Sequence, residues 1–248
     1  MYDIPRKHRI RKTLAGHPLW VGILIFGSIW GLFEALSMIF WNRYAMYMVT
    51  HLHFCPCPFI ATAIGFPVIA AALAIYKRPS MLVGIASVAA LFHWLVVPIQ
   101  HVPIFTSPLT TYPYINPTIF IILSSIVFSL IASLVKRRLA ITTRLLAGIG
   151  ALSAMLSSIA WIHIVDLLGA PILTATGLYT PLAYLATNGV IWMAISTATL
   201  PLGYLAGLRL PLKISPLFDK RPWLYRLGPL MVVVLCWSVS IAVFAVGL

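Results

Sequence analysis

Apolar stretches of about 20 residues recur along the whole chain, and short polar segments that carry most of the charge separate them. A helix needs about 20 residues to cross the hydrocarbon core of a bilayer. The pattern therefore predicts an all-α integral membrane protein with seven transmembrane helices. The predicted spans are 18–41, 59–76, 81–102, 117–135, 145–167, 182–207 and 227–247. They leave little chain outside them, so we expect residues 1–248 to form a single transmembrane domain.

The basic residues predict how this domain is oriented. Of 17 lysines and arginines, only Arg43 falls in a loop on the outer side of the predicted topology. Because cytoplasmic loops carry an excess of Lys and Arg, the N-terminus is predicted inside and the C-terminus outside. Six helices then form three in–out–in hairpins, to which one helix is added. We expect a basic cytoplasmic tail at 1–17 and a cytoplasmic interfacial loop at 208–226.

Composition supports the membrane class and limits the partners. The chain is 61% hydrophobic and 8% charged, with a mean hydropathy of +1.01. A soluble domain of this composition would expose too much apolar surface. The net charge of +13 would point to nucleic acid in a soluble protein. Here the charges lie at helix ends, so the predicted partners are the lipid bilayer and other protein subunits, with no nucleic acid. The predicted location is the cell membrane, as a multi-pass protein.

Four ionisable side chains inside the predicted spans are the strongest candidates for chemistry. They are Glu34, His93, His163 and Asp166. Charge in hydrocarbon is costly, so an intramembrane acid indicates function. Glu34 lies beside a stripe of small residues at four-residue spacing that favours close helix packing, so it should point into the bundle.

Helix geometry predicts that these side chains share one site. At 1.5 Å per residue, Glu34, His93 and His163 lie at similar heights in the outer half. His163 and Asp166 share a helix face through their i, i+3 spacing. We predict one interior cavity, with Glu34 and Asp166 as catalytic carboxylates and the two histidines as cofactor ligands. The structural alternative is a protonated Glu34 bonded to a carbonyl or to Asn188, with Asp166 reaching the membrane surface.

A second candidate site is the first outer loop, which holds His51, His53, Cys55 and Cys57 within seven residues. Thiolate and imidazole together suit a soft metal ion such as Cu or Zn, and His101 begins the next outer loop. The Cys-Pro-Cys triplet resembles the intramembrane metal motif of copper-transporting P-type ATPases. This chain has none of the soluble domains of such pumps, so the resemblance extends only to the ligand chemistry. Two small buried thiols in a proline-ordered loop are the structural alternative.

Three functions fit these features. The first is a membrane subunit of a respiratory or redox complex with an extracytoplasmic haem, metal or quinone site. Haem b would need two facing histidines, for which His93 and His163 are candidates, and a quinone site would need a proton acceptor. The second is a transporter or substrate-binding membrane component for a metal ion or small anion. It is supported by the metal-capable loop and by three outward helix starts at Pro58, Pro117 and Pro181. The third is a structural anchor subunit.

The topology generates a labelling prediction. In a cysteine-free variant, single cysteines at positions 45, 110 and 176 should react with an impermeant maleimide in intact cells. Cysteines at positions 78, 139 and 215 should react only after permeabilisation, because the basic loops stay in the cytoplasm. The reverse pattern would invert the orientation.

The metal loop generates a second prediction. Replacing Cys55 and Cys57 with serine should abolish retention of copper or zinc, because serine is a poor ligand for soft metals. Elemental analysis of the purified variant measures this, and Cys236→Ser is the matched control. Equal metal content in both variants would show that the loop is structural.

Overall fold

The structure of the protein, a computed structural model, describes residues 16–52, 59, 61–100, 108–136, 142–168 and 180–246. All regular secondary structure in these ranges is helical. The helices are α1 Leu19–Leu52, α2 Ala61–Tyr76, α3 Met81–Gln100, α4 Pro108–Lys136, α5 Thr143–Leu167, α6 Pro181–Lys220 and α7 Pro222–Val246. All but the shorter α2 are long and apolar enough to cross a membrane. The all-helical class is therefore confirmed, with six or seven apolar helices that could span a bilayer.

The helices differ from the predicted spans mainly at proline-rich segments. α4 begins at Pro108, so Pro117 lies inside a helix rather than at its start. Position 58 lies outside the described residues, and among the three predicted helix starts only Pro181 is seen as one. The Thr180 hydroxyl caps this helix by accepting the Ala183 backbone N–H at 3.2 Å.

The segment 208–226, predicted to be a loop, is helical apart from Arg221. α6 continues through Pro201, Pro211 and Pro216 to Lys220, and α7 starts at Pro222. Proline removes one backbone hydrogen bond but is tolerated where neighbouring groups satisfy the freed carbonyl. The change of composition at residue 208 therefore does not mark the end of the helix.

Glycines set the closest helix contacts. Gly27 and Gly31 of α1 lie against Val88 and Phe92 of α3, so these helices run in the same direction. Likewise Gly203 and Gly207 of α6 lie against the backbone of Pro67 and Ala71 of α2. Small residues let helix backbones approach closely, which is a main source of helix association in lipid.

The core consists of two buried clusters. The larger one draws side chains from α1 to α6 and contains the ring set Phe120, Trp161, Tyr184 and Trp192, whose rings meet at centroid distances of 5.6–6.1 Å. The smaller one joins α1, α3 and α7 around Phe92 and Ala35. The candidate site lies between α1 and α3, which contribute to both clusters.

One π-helical turn occurs in each of two helices. Ala61–Gly65 begins α2 and Leu185–Gly189 lies near the start of α6. Such turns widen a helix locally and are frequent at functional sites. The Thr62 carbonyl, within the first turn, accepts a hydrogen bond of 3.0 Å from the Thr199 hydroxyl of α6.

The glycine contacts generate a stability prediction. A Cβ at Gly203 would lie 2.3 Å from the Pro67 backbone, which cannot move as a flexible side chain can. Gly203→Ala should therefore lower the free energy of unfolding by about 1–3 kcal/mol through overpacking. Circular dichroism of thermal unfolding in detergent measures this.

The control for this experiment is Gly148→Ala. No atom lies within 4 Å of a Cβ placed at Gly148, so this variant should gain up to about 1 kcal/mol from helix propensity. Equal melting temperatures for the two variants would contradict the close contact between α2 and α6.

Candidate functional site

A buried carboxyl group with two partners lies between α1 and α3. Glu34 is only 1% exposed. The Trp30 indole N–H donates to Glu34 Oε1 at 2.7 Å, and His93 Nε2 lies 3.3 Å from Glu34 Oε2. Each carboxyl oxygen therefore has its own partner, as burial of such a group requires. The His93 side chain is also buried, at 3% exposed.

The local sequence explains how these side chains meet. Trp30 and Glu34 stand one helical turn apart on α1, so they share a face. Gly31, between them, lies against Phe92 and so brings α3 close enough for the neighbouring His93 to reach the carboxyl group. Gly65, which ends the π-helical turn of α2, leaves the space that the Trp30 indole fills. The pair thus depends on three helices.

One ring nitrogen of the histidine is left open. His93 Nδ1 is buried and has no hydrogen-bond partner. In the neutral ring with Nε2–H towards Glu34, Nδ1 is an acceptor, and in the imidazolium it is a donor. A buried polar atom without a partner costs about 1–3 kcal/mol. His93 Nδ1 is therefore the atom to which a substrate or a water molecule would bind.

The pair can hold a proton in either of two positions. The pair carries one negative charge when Glu34 is ionised and His93 is neutral. One added proton makes the pair neutral overall, either as Glu34⁻ with His93⁺ or as two uncharged groups. The arrangement is therefore suited to exchanging a proton with a bound partner.

His163 and Asp166 do not join this site. Hydrogen bonds of 3.1 Å from Trp94 Nε1 to Thr118 Oγ1 and from Trp161 Nε1 to the Asn116 carbonyl link α3, α4 and α5. His163 lies close to Trp161 along α5 and so at about the height of His93.

The direction of these two side chains is what differs from the prediction. His163 and Asp166 do share a helix face, but that face is exposed. The interior positions are taken by Trp161, Ile162 and Val165. Of the four side chains predicted to share one cavity, only Glu34 and His93 meet, because the packing of Trp161 against aromatic rings of α4 and α6 sets the rotation of α5.

The donor set limits which cofactors fit. Zinc and copper sites use three or four protein ligands, whereas Glu34 and His93 offer two, and one carboxyl oxygen already accepts from Trp30. Among the described residues no group of three or more His, Cys, Asp and Glu could hold a metal ion. A haem held between His93 and His163 is not supported, since only one of these rings faces the interior.

The predicted metal loop lies outside the described residues. This holds for His53, Cys55, Cys57 and His101. The backbone of His51 belongs to α1, but its side chain is not among those described. The soft-metal site stays a prediction from the sequence.

Trp30 is the functional candidate that sequence reasoning missed. Its i, i+4 spacing to Glu34 is the available signal, since a hydrogen-bond donor on the same helix face can satisfy a buried carboxyl oxygen. The spacing alone does not distinguish this role from a tryptophan that faces lipid.

Comparisons with protein-family models, with curated proteins and with solved structures find no match for this chain. The function of the Glu34–His93 pair therefore has to follow from its own chemistry.

Proposed function

We propose that this protein is the membrane subunit of a redox complex in which the Glu34–His93 pair takes up one of the two protons released when a quinol is oxidised. The observation that carries the proposal is the buried carboxyl–imidazole pair with an open histidine nitrogen. Oxidation of a quinol requires a base within hydrogen-bond distance of its hydroxyl group, and an imidazole backed by a carboxylate serves that purpose.

The proton and the electrons take different routes in this proposal. One quinol hydroxyl donates its hydrogen bond to Nδ1 of the neutral His93 ring, and its proton moves to that nitrogen. The proton of the second hydroxyl passes to water as the two electrons leave, so that the quinol becomes the quinone. Glu34 then stabilises the imidazolium through Nε2–H, while the Trp30 N–H holds the carboxylate in place. The electrons pass to a redox group on a partner subunit.

Access from the lipid supports a membrane-soluble substrate. Phe33 and Leu91, which lie close to the pair along α1 and α3, are 42% and 52% exposed. The two helices that carry the pair thus each have an outward face beside it that lipid can contact. A quinone diffusing in the bilayer would reach it through a small displacement of apolar side chains.

The second candidate is a proton-coupled transporter, which the π-helical turn of α2 favours. Gly65 ends this turn and contacts Trp30, which bonds Glu34. A change in the charge of Glu34 would alter the Trp30 contact and so bias the position of α2, as alternating access requires. In that case the open nitrogen of His93 would bind a solute rather than a quinol.

The stability of the pair generates one prediction. Glu34→Gln should fold, since an amide oxygen accepts the Trp30 N–H and the amide nitrogen can bond a neutral His93. Glu34→Ala should lower the free energy of unfolding by several kcal/mol, because two buried ring groups lose their acceptor at about 1–3 kcal/mol each. Thermal unfolding in detergent measures both. Equal destabilisation by both variants would show that volume, rather than hydrogen bonding, sets the stability.

The function generates a second prediction, tested with decylubiquinone and decylubiquinol. Calorimetric titration in buffers of different ionisation enthalpy reports how many protons accompany binding. Because the quinol hydroxyl can donate only to an unprotonated Nδ1, quinol binding to wild-type protein should be accompanied by a proton change that Glu34→Gln and His93→Gln lose. Asp219→Asn, the same chemical change at an exposed acid, should retain it.

The outcomes separate the two candidate functions. Quinol binding with the same proton change in Glu34→Gln would rule out the pair as the acceptor. If no quinone binds but infrared difference spectra show a titrating carboxyl group that Glu34→Gln removes, the transporter becomes the better explanation. If neither signal is found, the pair is structural.

A further inference from the structure

A second polar cluster lies at the opposite end of the bundle, where α1 begins. His17 precedes α1, Tyr76 ends α2 and Arg78 follows it, and the three line a cavity of about 370 Å³. This basic-end cavity involves neither Glu34 nor His93, and nothing in the proposed function depends on it.

The cavity is built by close contacts. Gly22 has no side chain, and a Cβ there would lie 2.6 Å from Tyr76 Cζ, so the Tyr76 ring lies directly on α1. The His17 ring stacks on Tyr225 of α7, with centroids 4.1 Å apart and planes at 24°. Three helices thus hold the cluster together.

His17 has an unfilled hydrogen-bonding position. Its Nε2 atom is buried and has no partner. Burial lowers the pKa of His17, as expected for an imidazole removed from water without a counter-charge. An acceptor atom in the cavity would satisfy this nitrogen.

Among the described residues, the arginines at this end form no ion pair. Arg78 lines the cavity and Arg226 lines an adjoining groove, whereas the contact found in the described part of the chain between an acid and a basic side chain is that of Glu34 and His93. The whole sequence holds 4 acids against 17 lysines and arginines, so most of its basic side chains have no acid in the chain to pair with.

The adjoining groove is apolar. It has a volume of about 180 Å³, opens at His17 and Arg226 and runs between α1 and α7. Its walls are apolar side chains, among them Val21, Leu24, Leu230 and Val233. His17 lines both the polar cavity and the groove, so the two form one amphiphilic site.

We propose that this site binds a membrane lipid with an anionic phosphate headgroup. The phosphate oxygens accept hydrogen bonds from the Arg78 and Arg226 guanidinium groups, which suit phosphate through their paired N–H donors, and from His17 Nε2–H. One hydrocarbon chain lies in the groove between α1 and α7. The lipid thereby links the start of the first helix to the last one.

Native mass spectrometry of the full-length protein in detergent tests the proposal, with dioleoyl phosphatidylglycerol as the probe and dioleoyl phosphatidylcholine as the neutral comparison. We expect wild-type protein to retain phosphatidylglycerol preferentially. Arg78→Gln and Arg226→Gln should each weaken retention about tenfold, the effect of losing one charge-assisted contact. Arg209→Gln removes the same charge from an exposed position on α6 that lines neither cavity and should retain wild-type affinity.

Filling the groove separates the headgroup from the chain. Leu24→Trp should weaken retention of phosphatidylglycerol while leaving the melting temperature near that of the wild type. If Arg209→Gln weakens retention of phosphatidylglycerol as much as Arg78→Gln does, net charge alone explains the result and the proposal is overturned. If wild-type protein retains phosphatidylcholine as well as phosphatidylglycerol, binding is unspecific and the proposal is also overturned. Thermal protection by inorganic phosphate that matches that by phosphatidylglycerol would also overturn it, in favour of a soluble ligand.

Discussion

Close approach of α1 and α3 at glycine is the constraint on which the candidate site depends. In lipid, an apolar side chain gains little by leaving hydrocarbon for a protein interior, so helix association depends on close packing and on polar contacts. Gly27 and Gly31 allow the close packing, because Val88 and Phe92 lie directly against them. Glu34 and His93 form the polar contact one turn further along. The close packing and the polar contact depend on each other, since a wider separation of α1 and α3 would leave the Glu34 carboxyl group without its imidazole partner in apolar surroundings.

Through these contacts, the protonation state of the Glu34–His93 pair is linked to the packing of three helices. Trp30 is held by its hydrogen bond to Glu34 and by the space at Gly65 of α2. A proton that changes the charge on the carboxyl group changes the strength of the indole bond, because bonds to charged acceptors are about twice as strong as neutral ones. A change of charge at Glu34 would therefore alter the packing of α1 against α2. The transporter proposed as the second candidate function relies on such a link to open a pathway.

Much of the fold follows from the sequence, because helix length and apolar composition are local properties. The direction of Glu34 also follows, since small residues at four-residue spacing mark a packed face. The rotation of α5 could not be predicted in the same way. His163 and Trp161 lie on opposite sides of one helix, and the choice between them depends on the ring set that Trp161 joins with Phe120, Tyr184 and Trp192. That contact joins three helices, and no local pattern encodes it. The position at which α6 ends could not be predicted from local sequence either. Proline stops a helix in water more readily than in a packed bundle, where neighbouring groups satisfy the freed carbonyl.

The hydrogen bond from Trp237 Nε1 to Ser28 Oγ joins residues 209 positions apart in the chain. During synthesis at about 5–20 residues per second, roughly 10–40 s pass between the appearance of the first residue and that of the second. Throughout that interval the Ser28 hydroxyl lacks the indole that donates to it in the finished protein. The contact between the first and the last helix is therefore among the last in the bundle to form.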